Sequence, residues 1–170
     1  MLNVRPATDS DRDAIWEIFR EVIAAGETYP LDQNISREEG LTYWFQRRGQ
    51  VYVAELDCFK QSTSKTLSQI VGSYTLHPNQ SGGGEHVANA GFIVAKNARG
   101  QGIGRAMGEN CLNEARRLGF RAVQFNFVIS TNPAVKLWQD LGMKIVGTLP
   151  GAFRHPVRGY VDVYVMFQEF

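Results

Sequence analysis

The sequence predicts a mixed α/β domain, one twisted sheet with helices packed on both of its faces. Two observations carry this. The hydrophobic period switches repeatedly between helical and extended along the chain, and neither an internal repeat nor a linker divides it. The 170 residues therefore read as a single domain over 1–170, large enough to bury a core.

The first strand is Leu2–Arg5. Thr8 stands three residues before Asp11, a variant capping box, and Ile15, Ile18, Phe19, Val22 and Ile23 then share one helical face until Gly26 stops the helix. Residues 27–34, ETYPLDQN, have loop chemistry. Ser36 and Glu39 form a fuller capping box, behind which Leu41, Trp44 and Phe45 mark the inner side of a second helix. From Val51 the period is extended. VYVAEL and QIVGSYTL are two strands, and the polar stretch Asp57–Ser68 between them reads as a hairpin loop. A second loop, His77–Glu85, leads to a third strand, His86–Ala95.

A helix with Ile103, Met107, Cys111, Ala115 and Leu118 on one side follows, closed by Gly119. Ala122–Ile129 is the next strand. A helix runs from Asn132 or Pro133 to Leu141 with Gly142 at its end, and strands Lys144–Leu149 and Tyr160–Gln168 complete the chain. The order is β α α β β β α β α β β.

Composition narrows the function classes. The formal charge is +1 with Lys and Arg scattered, which argues against nucleic acid as a partner. No apolar run approaches the roughly 20 residues of a membrane span. The opening residues, MLNVRPATDSDRD, lack the apolar region of a signal peptide, so a cytoplasmic location is expected. The two cysteines, Cys58 and Cys111, have no metal-ligand spacing and read as reduced thiols.

The stretch with chemistry is Asn97–Met107, NARGQGIGRAM, with glycine at 100, 102 and 104 where a helix begins. A helix start offers N–H groups without partners and favours negative charge. Glycine lets a phosphate approach and permits the positive φ of a backbone nest. Arg99 and Arg105 flank the turn. A Walker loop is excluded because Arg105 and Ala106 follow Gly104, and a dinucleotide GxGxxG fits neither register. What fits is Arg99-x-x-Gly102-x-Gly104.

Together with NPAVKLWQDLGM over Asn132–Met143, this resembles the acyl-CoA-binding half of the GCN5-related N-acetyltransferases. Their motif is Arg/Gln-x-x-Gly-x-Gly/Ala, and their next helix reads N-x-x-A/V-x-x-L-Y-x-x-x-G-F. The resemblance is sharp over Asn89–Leu149. It implies that the strands before and after the glycine helix splay, and that acetyl-CoA is the co-substrate, with no metal. It places the pyrophosphate on Arg99, Gly100, Gln101, Gly102, Ile103, Gly104 and Arg105, and the pantetheine arm along Phe92, Ile93 and Val94. Asn132, also suited to be a helix N-cap with Pro133 at N1, would bond the pantetheine, and Trp138 lies beside it. Trp138 is the departure, since relatives place a tyrosine there as acid. Another hydroxyl or water must then protonate the thiolate, or it leaves unassisted.

Asn89 and Asn126 are amides inside apolar strands, and these are the strands expected to splay. Each either patches main-chain groups left unpaired there or acts in catalysis, Asn89 on a substrate carbonyl or carboxylate and Asn126 on the thioester or amine. Glu85, His86, His77 and His155 are candidate bases or plain loop residues. The substrate side would come from the ETYP loop, with Glu27, Thr28 and Tyr29, and from the PGAFRHPVRGYVD loop, with Phe153, Arg154, His155 and Arg158, where an arginine would hold a substrate carboxylate by a bidentate bond or stand as a plain surface residue. These segments resemble the small-substrate branch that acetylates amino acids and analogues such as phosphinothricin. The paired asparagines and Trp138 resemble the enzymes of that branch that act on azetidine-2-carboxylate and other proline analogues. The expected activity is transfer of an acetyl group to a small amine by direct attack. A protein or peptide N-terminal acetyltransferase and a non-catalytic acyl-CoA sensor are the alternatives, and a homodimer stays open.

Overall fold

A computed structural model describes residues 1–45, 48–60 and 65–170. Its strands are β1 (Leu2–Pro6), β2 (Gln50–Lys60), β3 (Lys65–Pro78), β4 (Val87–Val94), β5 (Ala122–Ile129), β6 (Lys144–His155) and β7 (Gly159–Glu169). Its α-helices are α1 (Arg12–Ala25), α2 (Arg37–Phe45), α3 (Ile103–Arg117) and α4 (Ala134–Asp140). The strands form one seven-stranded sheet in the order β1-β2-β3-β4-β5-β7-β6. The element order is the one expected. No helix among the described residues is long and apolar enough to cross a membrane.

Both capping boxes form. The Thr8 N–H donates to the Asp11 carboxylate at 2.8 Å on a 3-10 turn that leads into α1. The Ser36 N–H donates to Glu39 at 3.1 Å while the Glu39 N–H donates to the Ser36 hydroxyl at 3.2 Å, opening α2. Asp11 is also gripped by the Arg5 guanidinium at 2.8 and 3.0 Å, which holds its carboxyl down at about 2.

Adjacent residues of β3 show which helices lie on which face, since side chains alternate along a strand. Ser73 accepts the indole N–H of Trp44 at 3.0 Å, so α2 covers that face, and α1 joins it through Phe19 against Trp44. Tyr74 points the other way. It stacks between Tyr52 and Phe92 in one cross-strand row, and its hydroxyl donates to Asn110 of α3 at 2.6 Å. Gly72 on that same face leaves the space that Met107 fills. Ile15, Phe19, Ile23, Ile103, Met107 and Cys111 are all buried in the core.

Several boundaries differ from the sequence expectation. β2 and β3 reach further into the polar stretch, to Lys60 and from Lys65, and residues 61–64 of that stretch lie outside the described residues. Leu118 is 38% exposed and caps α3 instead of packing under it. The largest change is at β6, which continues through PGAFRH instead of stopping at Leu149. The register slips between Leu149 and Phe153, and the Gly151 N–H bonds Asp162 at 2.9 Å across the slip. Pro150 and Gly151, which read as loop, instead form a bulge inside a strand.

Candidate active site

β4 and β5 are parallel neighbours paired only at Val87↔Ala122 and Ala88↔Val123. Beyond those two pairs they diverge. The geometry of β4 fixes what the gap exposes. Val87 O accepts from Asn79 N–H and Ala95 N–H donates to Val71 O, so the odd-numbered residues bond toward β3. Even-numbered Ala90, Phe92 and Val94 therefore turn N–H and C=O toward the missing partner. Farther down, where the strands still pair, His86 O accepts from Arg121 N–H, in the same parity.

The gap opens into a cavity of about 720 Å³ that runs from the glycine turn to the α1–α2 loop. Phe92, Ile93, Val94, Arg99, Gly100, Gly102, Ile103, Gly104, Arg105, Asn132 and Trp138 all line it, as do Asn89, Asn126 and Tyr29. Gln101, Phe153 and Arg154 do not. Gln101 folds back to donate to Asn97 O at 3.1 Å. Phe153 is buried below the sheet rim against Phe127, and Arg154 lies exposed on β6 opposite Tyr160. Placing those two in a substrate loop is corrected by the extension of β6. Of the candidate bases, neither Glu85, His86, His77 nor His155 lines this cavity.

At the turn, Gly100 has φ of +75° and Gly102 of +80°, conformations that other residues rarely adopt. The helical ladder starts with Ala106 N–H on Gly102 O at 3.0 Å. The N–H groups of Ile103, Gly104 and Arg105 are thus those a helix start leaves without intrahelical partners. Gly104 is helical, and a side chain there would stand 3.3 Å from Leu137 of α4. Arg105 leans toward Glu109 at 3.8 Å and Asp140 at 3.6 Å, both loose contacts. Asn132 Oδ1 accepts the Ala134 N–H at 2.9 Å and so opens α4, with Pro133 in the first turn.

Trp138 packs where the strands part, 4.7 Å from Phe92 and 5.1 Å from Phe125 between ring centroids. An indole there fills the floor of the gap. A phenol reaches β4 from the opposite face: the Tyr29 hydroxyl donates to Phe92 O at 3.0 Å. Asn89 is buried, and its amide donates to Gln124 O at 3.0 Å, bridging the strands just past their last pair. Asn126 is exposed, not buried. It sits in a β5 bulge opposite β7, accepts from Gln124 and donates to Asn79 at 2.6 Å.

Thr75, Tyr43, Trp44, Glu27 and Thr28 also line the cavity, and nothing in the sequence motifs assigns the first three a part in the site. Thr75 was the one with a signal, a polar residue in the apolar run QIVGSYTL; its hydroxyl accepts the Gly91 N–H at 3.2 Å. Cys111 is a free thiol sealed under the sheet, and burial pushes its ionisation well above the usual range. It is no nucleophile for an acyl group.

Fold and site together define an N-acetyltransferase domain. Residues 12–143 match the Acetyltransferase (GNAT) family, and the chain belongs to that family. It is 31% identical over 156 residues to N-acetyltransferase aca1 of Schizosaccharomyces pombe, covering 87% of this chain and 75% of that one. The solved structure of a GCN5-related N-acetyltransferase from Kribbella flavida is 42% identical and superposes with a TM-score of 0.87 over 99% of this chain and 98% of that one. A phosphinothricin acetyltransferase from Sinorhizobium meliloti, solved in complex with acetyl-CoA, shares the fold at 19% identity with a TM-score of 0.80, over 99% of this chain and 88% of that one.

Proposed function

We propose that this N-acetyltransferase moves the acetyl group of acetyl-CoA to the amine of a small substrate, an amino acid or amino-acid analogue, by direct attack in a ternary complex. The observation that carries the reading is the continuity of the cavity. One space joins a phosphate-ready helix start, an unpaired strand edge and a loop-walled chamber.

The residues fit the co-substrate. Gly100 and Gly102 present bare backbone at the start of α3, where the N–H groups of residues 103–105 receive a pyrophosphate, with Arg99 and Arg105 adding charge. The pantetheine amides pair with the even-numbered main-chain groups of β4, and Asn132 stands across the gap. The amine nitrogen attacks the thioester carbonyl carbon. As the C–N bond forms and the C–S bond breaks, nitrogen loses a proton and sulfur gains one. A main-chain N–H near Val94, on the edge of β4 that faces the gap, is the donor we assign to the developing oxyanion. Since Cys111 is sealed away, the acetyl group passes without a stop on that thiol.

Asn89 is assigned to the scaffold by its bond to Gln124 O, with its remaining polar capacity toward the cavity it lines. The exposed Asn126 tethers the bulge to the β3–β4 loop at Asn79. With indole at 138, the thiolate departs with a proton from water or from a cavity hydroxyl; a free thiol near pKa 8.5 is a tolerable leaving group. The test is release of CoA thiol from acetyl-CoA against free amino acids, cyclic imino acids, polyamines and short peptides, with mass detection of the product. Release with a small carboxylate-bearing amine supports the reading, and exclusive use of peptides overturns it.

A further inference from the structure

A second cavity, of about 310 Å³, adjoins the first and shares with it Glu27, Thr28, Asn132 and Pro133. Its outer wall is the β6–β7 turn, with His155 and Arg158. Resting on the acetyltransferase reading above, we infer that this side cavity selects zwitterionic α-amino or imino acids, with Arg158 holding the carboxylate and Glu27 facing the amine end.

Three features carry this. The first is charge. Arg158 and Glu27 come from loops far apart in sequence, line the same small space, and make no ion pair with any described residue. Opposite charges that share a cavity without pairing are complementary to a ligand bearing both signs. A guanidinium fork meets a carboxylate with two parallel hydrogen bonds. A carboxylate at Glu27 repels a second anion and attracts an ammonium.

The second feature is rigidity. His155 is buried at 8% exposure, and its Nδ1 accepts the N–H groups of both Val157 and Arg158, at 3.2 and 3.3 Å. Because both contacts are donated to it, Nδ1 carries a lone pair, and the imidazole closes the turn that carries Arg158. The arginine therefore starts from a fixed backbone. His155 is a positioning residue here, which also explains why a histidine that read as a candidate base lies away from the thioester gap.

The third feature is size and direction. A space of about 310 Å³ has room for a carboxylate and a short side chain. In the inferred pose the amine lies at the wall shared with the main cavity, at Glu27, Thr28 and Asn132, and the carboxylate lies at Arg158. Arg158 is thus the arginine of this segment that suits the carboxylate role, since Arg154 on β6 lines neither cavity.

The experiment is calorimetric titration of the CoA-loaded protein with matched ligands, azetidine-2-carboxylate and methionine, each against its own carboxamide. Wild type is expected to bind each acid at least about tenfold tighter than its amide, the range of one charge-assisted hydrogen bond. In Arg158→Gln that preference should vanish while amide affinity stays within about twofold of wild type. Arg158→Lys should keep only part of it, because a point charge lacks the fork. A melting curve matching wild type guards against misfolding at this exposed turn. Equal binding of acid and amide by wild type, a preference that survives Arg158→Gln, or no binding of either amino acid would each overturn the inference. Thiol release, run separately, reports on the acetyl-transfer reading itself. Its absence with every amine overturns that reading, whereas the acid-over-amide preference is decided by binding alone.

Discussion

Substituting Gly102 separates two reasons for a glycine at the start of α3. The residue has φ of +80°, and a Cβ built on it meets nothing within 4 Å. Packing therefore adds no penalty, and Gly102→Ala should cost only the left-handed strain of an L-residue, about 1–2 kcal/mol. For a chain of this size that is a melting decrease of roughly 2–8 °C. Asparagine tolerates the same conformation far better, so Gly102→Asn should melt close to wild type. Both variants put side-chain atoms into the open space at the turn, from which a phosphate would approach the N–H groups of residues 103–105. Losing one hydrogen bond to a charged phosphate is worth about 1.5–3 kcal/mol, or roughly 10- to 100-fold in acetyl-CoA affinity. Gly104→Ala is the internal contrast: it is helical, gains about 1 kcal/mol of propensity, and needs only a small shift of Leu137 at 3.3 Å. The assays are thermal melts and acetyl-CoA titration on the same samples. A well-folded Gly102→Asn that binds acetyl-CoA as tightly as wild type would refute the phosphate role of the turn.

Further outcomes are expected elsewhere. Asp11 titrates at about 2 instead of its ordinary 3.8 because Arg5 bonds its carboxylate. A lowered carboxylate stabilises fully above its unfolded value and loses that contribution as pH falls through the folded one. About 2 kcal/mol should thus disappear between roughly pH 4 and pH 2, and acid-unfolding curves of Asp11→Asn should lack that step. Gly108→Ala would put a Cβ 2.6 Å from Leu141 and 3.0 Å from Trp138, so chemical denaturation should report a loss of about 1–3 kcal/mol. Tyr29→Phe removes the bond to Phe92 O; a stability loss of about 1 kcal/mol is expected, with kcat falling more than KM for acetyl-CoA rises. Asn89→Ala orphans Gln124 O and should cost about 1–3 kcal/mol in denaturant melts, with a lower kcat/KM; an unchanged kcat/KM would remove any role for Asn89 in turnover.

What was legible in the sequence was whatever neighbouring residues decide among themselves. Thr8 with Asp11 and Ser36 with Glu39 are contacts three residues apart, so the cap is written in the text of the chain. The left-handed Gly26 and Gly119 stop their helices for the same local reason. Ala122–Ile129 is a buried apolar run, and its bounds in the structure are the ones read from sequence. Failures came where a distant partner overrides local chemistry. Pro150-Gly151 reads as loop, yet Asp162 on β7 accepts the Gly151 N–H and keeps the strand going. Asn126 lies in an apolar stretch, but the bulge of β5 against β7 turns it out to solvent. Which cavity-lining loop residues stand together was equally out of reach, since Glu27 and Arg158 come to line one cavity only through the folded sheet.

The parting of β4 from β5 is itself a physical problem, because a buried strand edge with unpaired N–H and C=O groups is costly. The chain answers it unevenly. Arg121 N–H serves His86 O below the split, Asn89 reaches across to Gln124 O at its mouth, and the Tyr29 hydroxyl serves Phe92 O one turn of the pleat further on. Asn89 and Tyr29 are single side chains standing where a strand would otherwise be. The position of Tyr29 follows from the parity of β4: Phe92 is an even-numbered residue, and a phenol from the α1–α2 loop is long enough to reach its carbonyl. Each side chain that substitutes for a strand also shortens the edge left for a ligand. With Phe92 O taken, the gap-facing groups beyond it are those of Val94, directly ahead of the glycine turn. The α1–α2 loop that carries Tyr29 also carries Glu27 two residues before it. One hydrogen bond thus anchors on β4 a loop that lines the main cavity, and on the function proposed above mutations that free Tyr29 should disturb acceptor binding and acetyl transfer together.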